Sequence, residues 1–464
     1  MKELDFYGFP KSTQEDWIAQ VKKDLKGKDF DEALVSKLWG EIEIAPMYFP
    51  EIKETDQMAF HKPSDLPGFS PRLWSNLVTV SVEDEAKANA EILELLNSGA
   101  DGIILQTSGS PNLNQVLKDV MIEYIDIYFH PNGNPKELQD SIEAYLNSQE
   151  NPKDKLSGGI SWSPSSDLVK RGEVKLEFQL AADLIKFYEA YPGFNPLTID
   201  FANYGEAGGT GFQELTFGLG ELIELLDRVE GFDIRPRQVF ENCGFLLSVG
   251  SDHFAEIAKL KAARKLISSL SSLYDFDFEN DKIKLIATTS TFSKSLLDPH
   301  SNLIRQTYEA MSAILGGANS LWVKPAKGDK SDILSKRMAR NVSNILKDES
   351  YLDKVMDPAA GSYYLDRLQQ NIESNVQKAL IELEEQGGWY GLYERGEIQQ
   401  QIRENRLLAQ NSILDQQMIK VGANKYKAGS EDQDSGSFET IEENPLQLSP
   451  TRATYLLEKE TFKK

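Results

Sequence analysis

Apolar positions in this chain run together, then recur every third or fourth residue, then run together again, most plainly over residues 282–325. Ile283, Leu285, Ile286 and Ala287 form a nearly continuous apolar run, the pattern of a strand covered on both faces. A polar turn over 288–294 follows. Asp298 is placed to cap a helix whose first turn holds Pro299, where a missing N–H costs nothing, and Ile304, Tyr308, Met311 and Leu315 repeat at spacings of four, three and four. Gly316 and Gly317 end that helix. The apolar run 320–323 starts the next strand, so the unit predicted is one βαβ crossover of a parallel sheet.

From Trp74 onward the same alternation repeats eight times, with strands predicted at 77–80, 102–105, 124–128, 159–162, 197–200, 245–248, 283–287 and 320–323. Eight strands with interleaved helices over 74–356 predict an α/β fold, a (β/α)8 TIM barrel whose site lies at the C-terminal ends of the strands. A doubly wound sheet is the alternative. Before it, residues 1–73 read as an N-terminal helical arm and a Pro-rich linker through Pro67 and Pro71. Ser12 with Glu15 makes a capping box, and Trp17, Val21 and Leu25 share one face before Gly27, a face for packing on the chain's own domain or for a partner subunit. After it, 357–426 is a C-terminal helical extension with a stripe of Leu365, Leu368, Ile372, Val376, Leu380 and Leu383. Residues 427–464 read as an acidic flexible linker and short tail.

Composition narrows the classes. The chain has 464 residues, 40% of them hydrophobic, and no apolar run near the ~20 residues that a membrane span needs. The first residues lack the basic and apolar parts of a signal peptide. Cys243 is the single cysteine, which excludes an internal disulfide and a cysteine metal cluster and fits a cytoplasmic protein. A net charge of −23 argues against a nucleic-acid surface.

Four ordered motifs then resemble the methylmalonyl-CoA mutase family. Asn302-Leu303-Ile304-Arg305 with Glu309-Ala310-Met311-Ser312-Ala313 and Gly316-Gly317-Ala318-Asn319-Ser320-Leu321 looks like the seventh crossover of that family's barrel. Asp357-Pro358-Ala359-Ala360-Gly361-Ser362-Tyr363-Tyr364-Leu365 is similar to its Asp-Pro-x-x-Gly-Ser-Tyr-Tyr-Val signature. Residues 256–264 resemble its sixth helix, and Val421-Gly422-Ala423-Asn424-Lys425-Tyr426 matches near the end of the catalytic unit. The resemblance implies adenosylcobalamin-dependent interconversion of methylmalonyl-CoA and succinyl-CoA. It also implies an acyl-CoA threaded through the barrel and a cofactor held by a separate C-terminal domain. Such radical chemistry needs a dry site and a donor on the thioester carbonyl.

The residues that would do this chemistry are replaced. The family's Tyr-His pair after the fifth strand corresponds to Ala202 and Asn203, ahead of Tyr204 and the matched Glu206-Ala207-Gly208. Its Gln-Asn-Asp corresponds to Ser161-Trp162-Ser163, and a substrate-facing Arg to Lys284, which cannot make a bidentate contact. The first strand, 72–77, lacks the Arg-Pro-Trp-Thr-x-Arg segment. Ser161, Trp162, Asn203, Tyr204, Glu206, Lys284 and Ser290 therefore line a vestigial acyl-CoA pocket or a closed mouth. No metal site is expected. Among His61, His130, His253 and His300, only Asp298-Pro299-His300 approaches the Asp-x-His-x-x-Gly that supplies the lower cobalt ligand, and it has Leu303 where glycine is needed. Scaffold kept and chemistry lost resembles the small, non-catalytic subunit of the heterodimeric bacterial enzyme. It implies a large catalytic subunit as partner, adenosylcobalamin bound there, and none bound by this chain. Two alternatives stay open: an active mutase served by a separate cobalamin-binding chain, and a barrel hydrolase using Asp200 and Glu206 as paired carboxylates.

Overall fold

The computed structural model describes residues 13–49, 63–64, 68–173, 175–326, 328, 332–427, 429 and 433–462. Ser12, His61 and Pro67 lie outside them. Strands β1 (Ser36–Leu38) and β2 (Ile42–Ile44) form a small antiparallel hairpin. Nine further strands form one parallel sheet: β3 (Ser75–Ser81), β4 (Gly102–Thr107), β5 (Asp126–Pro131), β6 (Gly158–Ile160), β7 (Phe194–Asn195), β8 (Leu197–Asp200), β9 (Cys243–Val249), β10 (Leu285–Thr289) and β11 (Ser320–Trp322).

The order across that sheet is β7-β6-β5-β4-β3-β11-β10-β9-β8, so its two ends are consecutive pieces of chain separated by Pro196 alone. Proline offers no N–H to a ladder and interrupts the strand there. β7 pairs with β6 and β8 pairs with β9. Across the seam Thr198 donates its N–H to Trp162 O (2.9 Å) and its hydroxyl to Ile160 O (2.8 Å). The ring is thereby a (β/α)8 barrel with one strand in two pieces, and the doubly wound alternative falls. On the other side of β6, Gly158 has φ +121° and a Cβ there would lie 2.0 Å from Ile127 O, so glycine is required for this register.

Each strand alternates inward and outward side chains. Outward, Ile103, Ile127, Phe129, Ile199, Phe245 and Ala287 join the large core beneath the helices. Inward, Leu77, Ile104, Tyr128, Leu246 and Ile286 form a separate buried cluster with Ala202, and Trp322 packs on it. The barrel axis is filled. Below that layer, Asp126 accepts hydrogen bonds from the hydroxyls of Ser75 and Ser157.

Several boundaries differ from those the pattern predicts; the fourth strand, for one, ends at Ile160 and leaves Ser161 and Trp162 beyond it. The third strand starts at Asp126 because Ile122–Tyr124 closes a 3-10 turn that leaves Tyr124 exposed. The seventh starts at Leu285. In the arm, the helix Gln14–Asp24 is capped by Thr13 with Asp16, one residue beyond the Ser12–Glu15 pair expected. Trp17, Val21 and Leu25 are half-buried, and Trp17 meets Phe30 and Phe49 edge-on, each at 6.2 Å.

The extension is three helices, Tyr363–Glu385, Gly388–Glu394 and Glu397–Leu414. Its expected stripe is buried at Leu365, Leu368, Ile372, Val376 and Leu383. The segment read as a loose linker and tail is instead pinned along the barrel from residue 433. Leu448 N–H donates to Val169 O, Thr451 N–H to Glu206 O and Ala453 N–H to Phe292 O, each at 2.9 Å. Glu443 holds Arg403 (3.3 Å) and Arg406 (2.6 Å), and the fully buried Glu458 accepts from Arg452, Thr454 and the Leu296 N–H. The residues that looked like solvated acids are the strap's anchors.

Candidate functional site

The strap runs over the turns that follow β6, β8 and β10 and covers that half of the mouth. The other half stays open as a cleft of about 710 Å³ over the ends of β3 to β6, with Gln106, His130, Ser161, Trp162, Lys170 and Arg171 in its wall. That is the size of a small-molecule site. Trp162 is 2% exposed and its indole N–H has no hydrogen-bond partner among the described residues. A buried donor of this kind is ordinarily met by water or a ligand.

Two lysines shape the electrostatics. Lys170 reaches Asp200 at 3.0 Å, and Lys324 reaches Glu206 at 3.1 Å while standing 5.3 Å over the Trp322 ring. His130, at the end of β5, is pushed down to about 3, first by burial and then by Lys170 and Lys324. It is a neutral imidazole at physiological pH. Sequence reasoning passed over His130, Lys170 and Lys324. Their signal was position, since His130 lies at a strand's C-terminal end and Lys324 just beyond one, where barrel sites are built.

The expected site residues divide. Ser161 and Trp162 stand in the cleft. Ala202 belongs to the interior cluster, and Asn203 beside it is half-buried. Tyr204 turns away from the mouth into the layer under the extension, where it donates to Glu221 (3.1 Å) and accepts from Trp389 Nε1 (2.8 Å). Glu206 is buried beneath the strap and accepts the Thr291 N–H at 2.9 Å. Ser290 is buried at the end of β10, accepting the Phe292 N–H. Lys284 is excluded from the pocket: it precedes β10, at the opposite end of the barrel from the mouth, and is exposed. Asp200 and Glu206 are each ion-paired with a separate lysine, so each carboxylate is already engaged.

A solid-cored (β/α)8 barrel with an off-axis cleft at its C-terminal mouth is the class these observations define. The chain belongs to the methylmalonyl-CoA mutase family, whose model matches residues 83–454. It is 30% identical to the methylmalonyl-CoA mutase small subunit of Porphyromonas gingivalis over 92% of this chain and 71% of that protein. To the small subunit of Streptomyces virginiae it is 27% identical, over 82% of this chain and 65% of that one. The methylmalonyl-CoA mutase of Escherichia coli is 32% identical over 60% of this chain and 40% of its own length. The chain thus spans about two thirds or less of several relatives. A Yersinia pestis DHPS structure superposes at a TM-score of 0.24 with 14% identity, covering 60% of this chain and 94% of that one, too low to bear on the fold. Family membership removes the reading of an unrelated hydrolase.

The described residues do not fit a corrin. His130 lies among lysines in the barrel mouth, and His253 bonds Ser312 at 2.7 Å. His300 is exposed on a helix start whose Asp298 caps Ser301. None presents Asp-x-His-x-x-Gly. Among the described residues no cluster of three or more His, Cys, Asp or Glu is placed to hold a metal, and no helix is long and apolar enough to cross a membrane.

Proposed function

We propose that this chain is the small, non-catalytic subunit of an adenosylcobalamin-dependent methylmalonyl-CoA mutase, pairing with and stabilising a large catalytic subunit that holds the cofactor. The observation that carries this reading is the filled axis. A family whose acyl-CoA threads the barrel needs a bore, and Leu77, Ile104, Tyr128, Leu246, Ile286 and Trp322 occupy it here. Ala202 and Asn203 at the end of β8 offer neither the phenol nor the imidazole to steady a migrating thioester carbonyl. Small-subunit names among the relatives favour the same reading. Trp17, Val21 and Leu25 are partner contacts in this proposal, which puts the pair in the cytoplasm.

The test is to purify this chain, the large subunit and their mixture, and to measure mutase turnover and corrin binding in each. The expected result is neither from this chain alone and a stable heterodimer in the mixture. Turnover by this chain with a separate cobalamin-binding protein would favour the active-mutase alternative and overturn the proposal.

A further inference from the structure

The floor of the open cleft follows from the strand period. Ile104 and Tyr128 are partners across β4 and β5 and belong to the apolar layer that closes the axis; two residues on, facing the same way, stand the partners Gln106 and His130. Ser161, two residues past the Gly159 that pairs with Tyr128, joins them in the cleft wall. A polar floor thus rests directly on an apolar plug. One wall is fixed from outside, because the strap's Gln447 and Asn444 donate their side-chain amides to Lys170 O (3.0 Å) and Arg171 O (2.7 Å). The short helix Ser166–Arg171 is therefore held in place before any ligand arrives. Charge inside the cleft is largely spent. Its wall carries Glu83, Asp167, Lys170 and Arg171. Lys170 is taken by Asp200 at 3.0 Å, and Arg171 by Asn132 and, at 3.7 Å, by Asp167. Hydrogen bonding is not spent. The Trp162 indole N–H and the Thr107 hydroxyl, on residues 2% and 3% exposed, have no partner among the described residues, nor has Asp200 Oδ1. His130, a neutral imidazole, adds one donor and one acceptor.

We propose that this cleft is a binding site for a neutral, multiply hydroxylated small molecule, a monosaccharide or cyclic polyol. The ligand class follows from what is left unmet. An indole N–H can only donate, a carboxylate oxygen can only accept, and threonine and imidazole do both. A hydroxyl group does both as well, so one ligand with several of them answers every kind of group present. An anion would find each cation engaged and would face Glu83, Asp167 and Asp200, like charges that weigh against it. A cation would offer nothing to the indole N–H. A cleft of about 710 Å³ leaves room for such a molecule. The inference uses only the cleft of this chain and stands or falls separately from any pairing with a large subunit.

The experiment is to titrate the isotope-labelled full chain with D-glucose, D-xylose and myo-inositol, and in parallel with succinate and inorganic phosphate, following the indole N–H peaks of the six tryptophans by NMR. Each probe is taken to about 10 mM, roughly ten times a dissociation constant of about 1 mM. Trp162→Phe assigns the peak; should that variant not fold, Ser161→Ala assigns it by moving the neighbouring indole alone. At least one polyol is expected to shift the Trp162 peak saturably while the other indole peaks stay in place. Gln106→Ala should weaken that binding about tenfold, the loss of one hydrogen bond in the cleft floor. Absence of saturation with all three polyols overturns the site, and an unaltered affinity in Gln106→Ala overturns its placement. Tighter binding of succinate or phosphate overturns the ligand class.

Discussion

Trp389 donates its indole N–H to the hydroxyl of Tyr204 across 2.8 Å, tying the helical extension to the turn after β8. Tyr204 passes the contact on to Glu221, which also accepts from Ser163 at 2.9 Å and from Ser165. Removing the middle hydroxyl with Tyr204→Phe strands a buried N–H and a carboxylate oxygen. The expected cost is ~1–3 kcal/mol of stability, read by denaturant unfolding. An unchanged midpoint would show that the link carries no energy.

Glu221 also sets a pH dependence. Burial pushes its carboxyl up to about 7 against the pull of the Ser165, Ser163 and Tyr204 hydroxyls. The folded state then binds this proton more tightly than the unfolded chain, where a glutamate titrates near about 4.3. Its contribution is complete below that value and is lost as pH rises through 7. From pH 5 to 8 the wild type should lose on the order of 2–3 kcal/mol more than Glu221→Gln, whose amide does not titrate there. Parallel melting curves for the two proteins would refute the assignment.

Burial raises the Glu443 carboxyl, yet Arg406 and the Ser449 N–H outweigh it and hold it below the usual carboxylate range. Glu443→Gln weakens the grip of Arg403 and Arg406 by roughly 1–3 kcal/mol. Hydrogen exchange is the readout, because the N–H groups of Leu448, Thr451 and Ala453 are the strap's own donors. Their protection should fall by about tenfold or more while that of β9 stays constant. Protection unchanged at all three would mean that the strap is held by its backbone alone.

The filled axis predicts a contrast between two leucine-sized side chains. Leu246→Ala, 5% exposed inside the ring, should cost ~2–5 kcal/mol. Ile304→Ala, 69% exposed, should stay within ~0.5 kcal/mol. Equal effects in denaturant titrations would contradict a packed interior.

Period and punctuation carried the barrel into view, since buried parallel strands are apolar on both faces and helices repeat every three to four residues. Pro196 marked the seam only in three dimensions, because nothing local says that β7 and β8 pair on opposite sides. Lys284 was misplaced for a related reason: an apolar run does not say where along it the ladder begins, and pairing starts only at Leu285, which leaves Lys284 at the end away from the mouth. The strap was misread because Glu443 and Glu458 look like solvated acids, and their partners, Arg403, Arg406 and Leu296, come from distant parts of the chain. His130 gains its character from burial and from Lys170 and Lys324, contributed by the helix Ser166–Arg171 and the segment after β11.

A barrel built around a tunnel has two shapes, one empty and one full, and its walls shift with the supply of substrate. With Leu246, Tyr128 and Trp322 meeting at the axis, this one has a single shape. In the pairing proposed above, the outer surface offered to a large subunit would rest on that packed layer and not on an occupant of the bore.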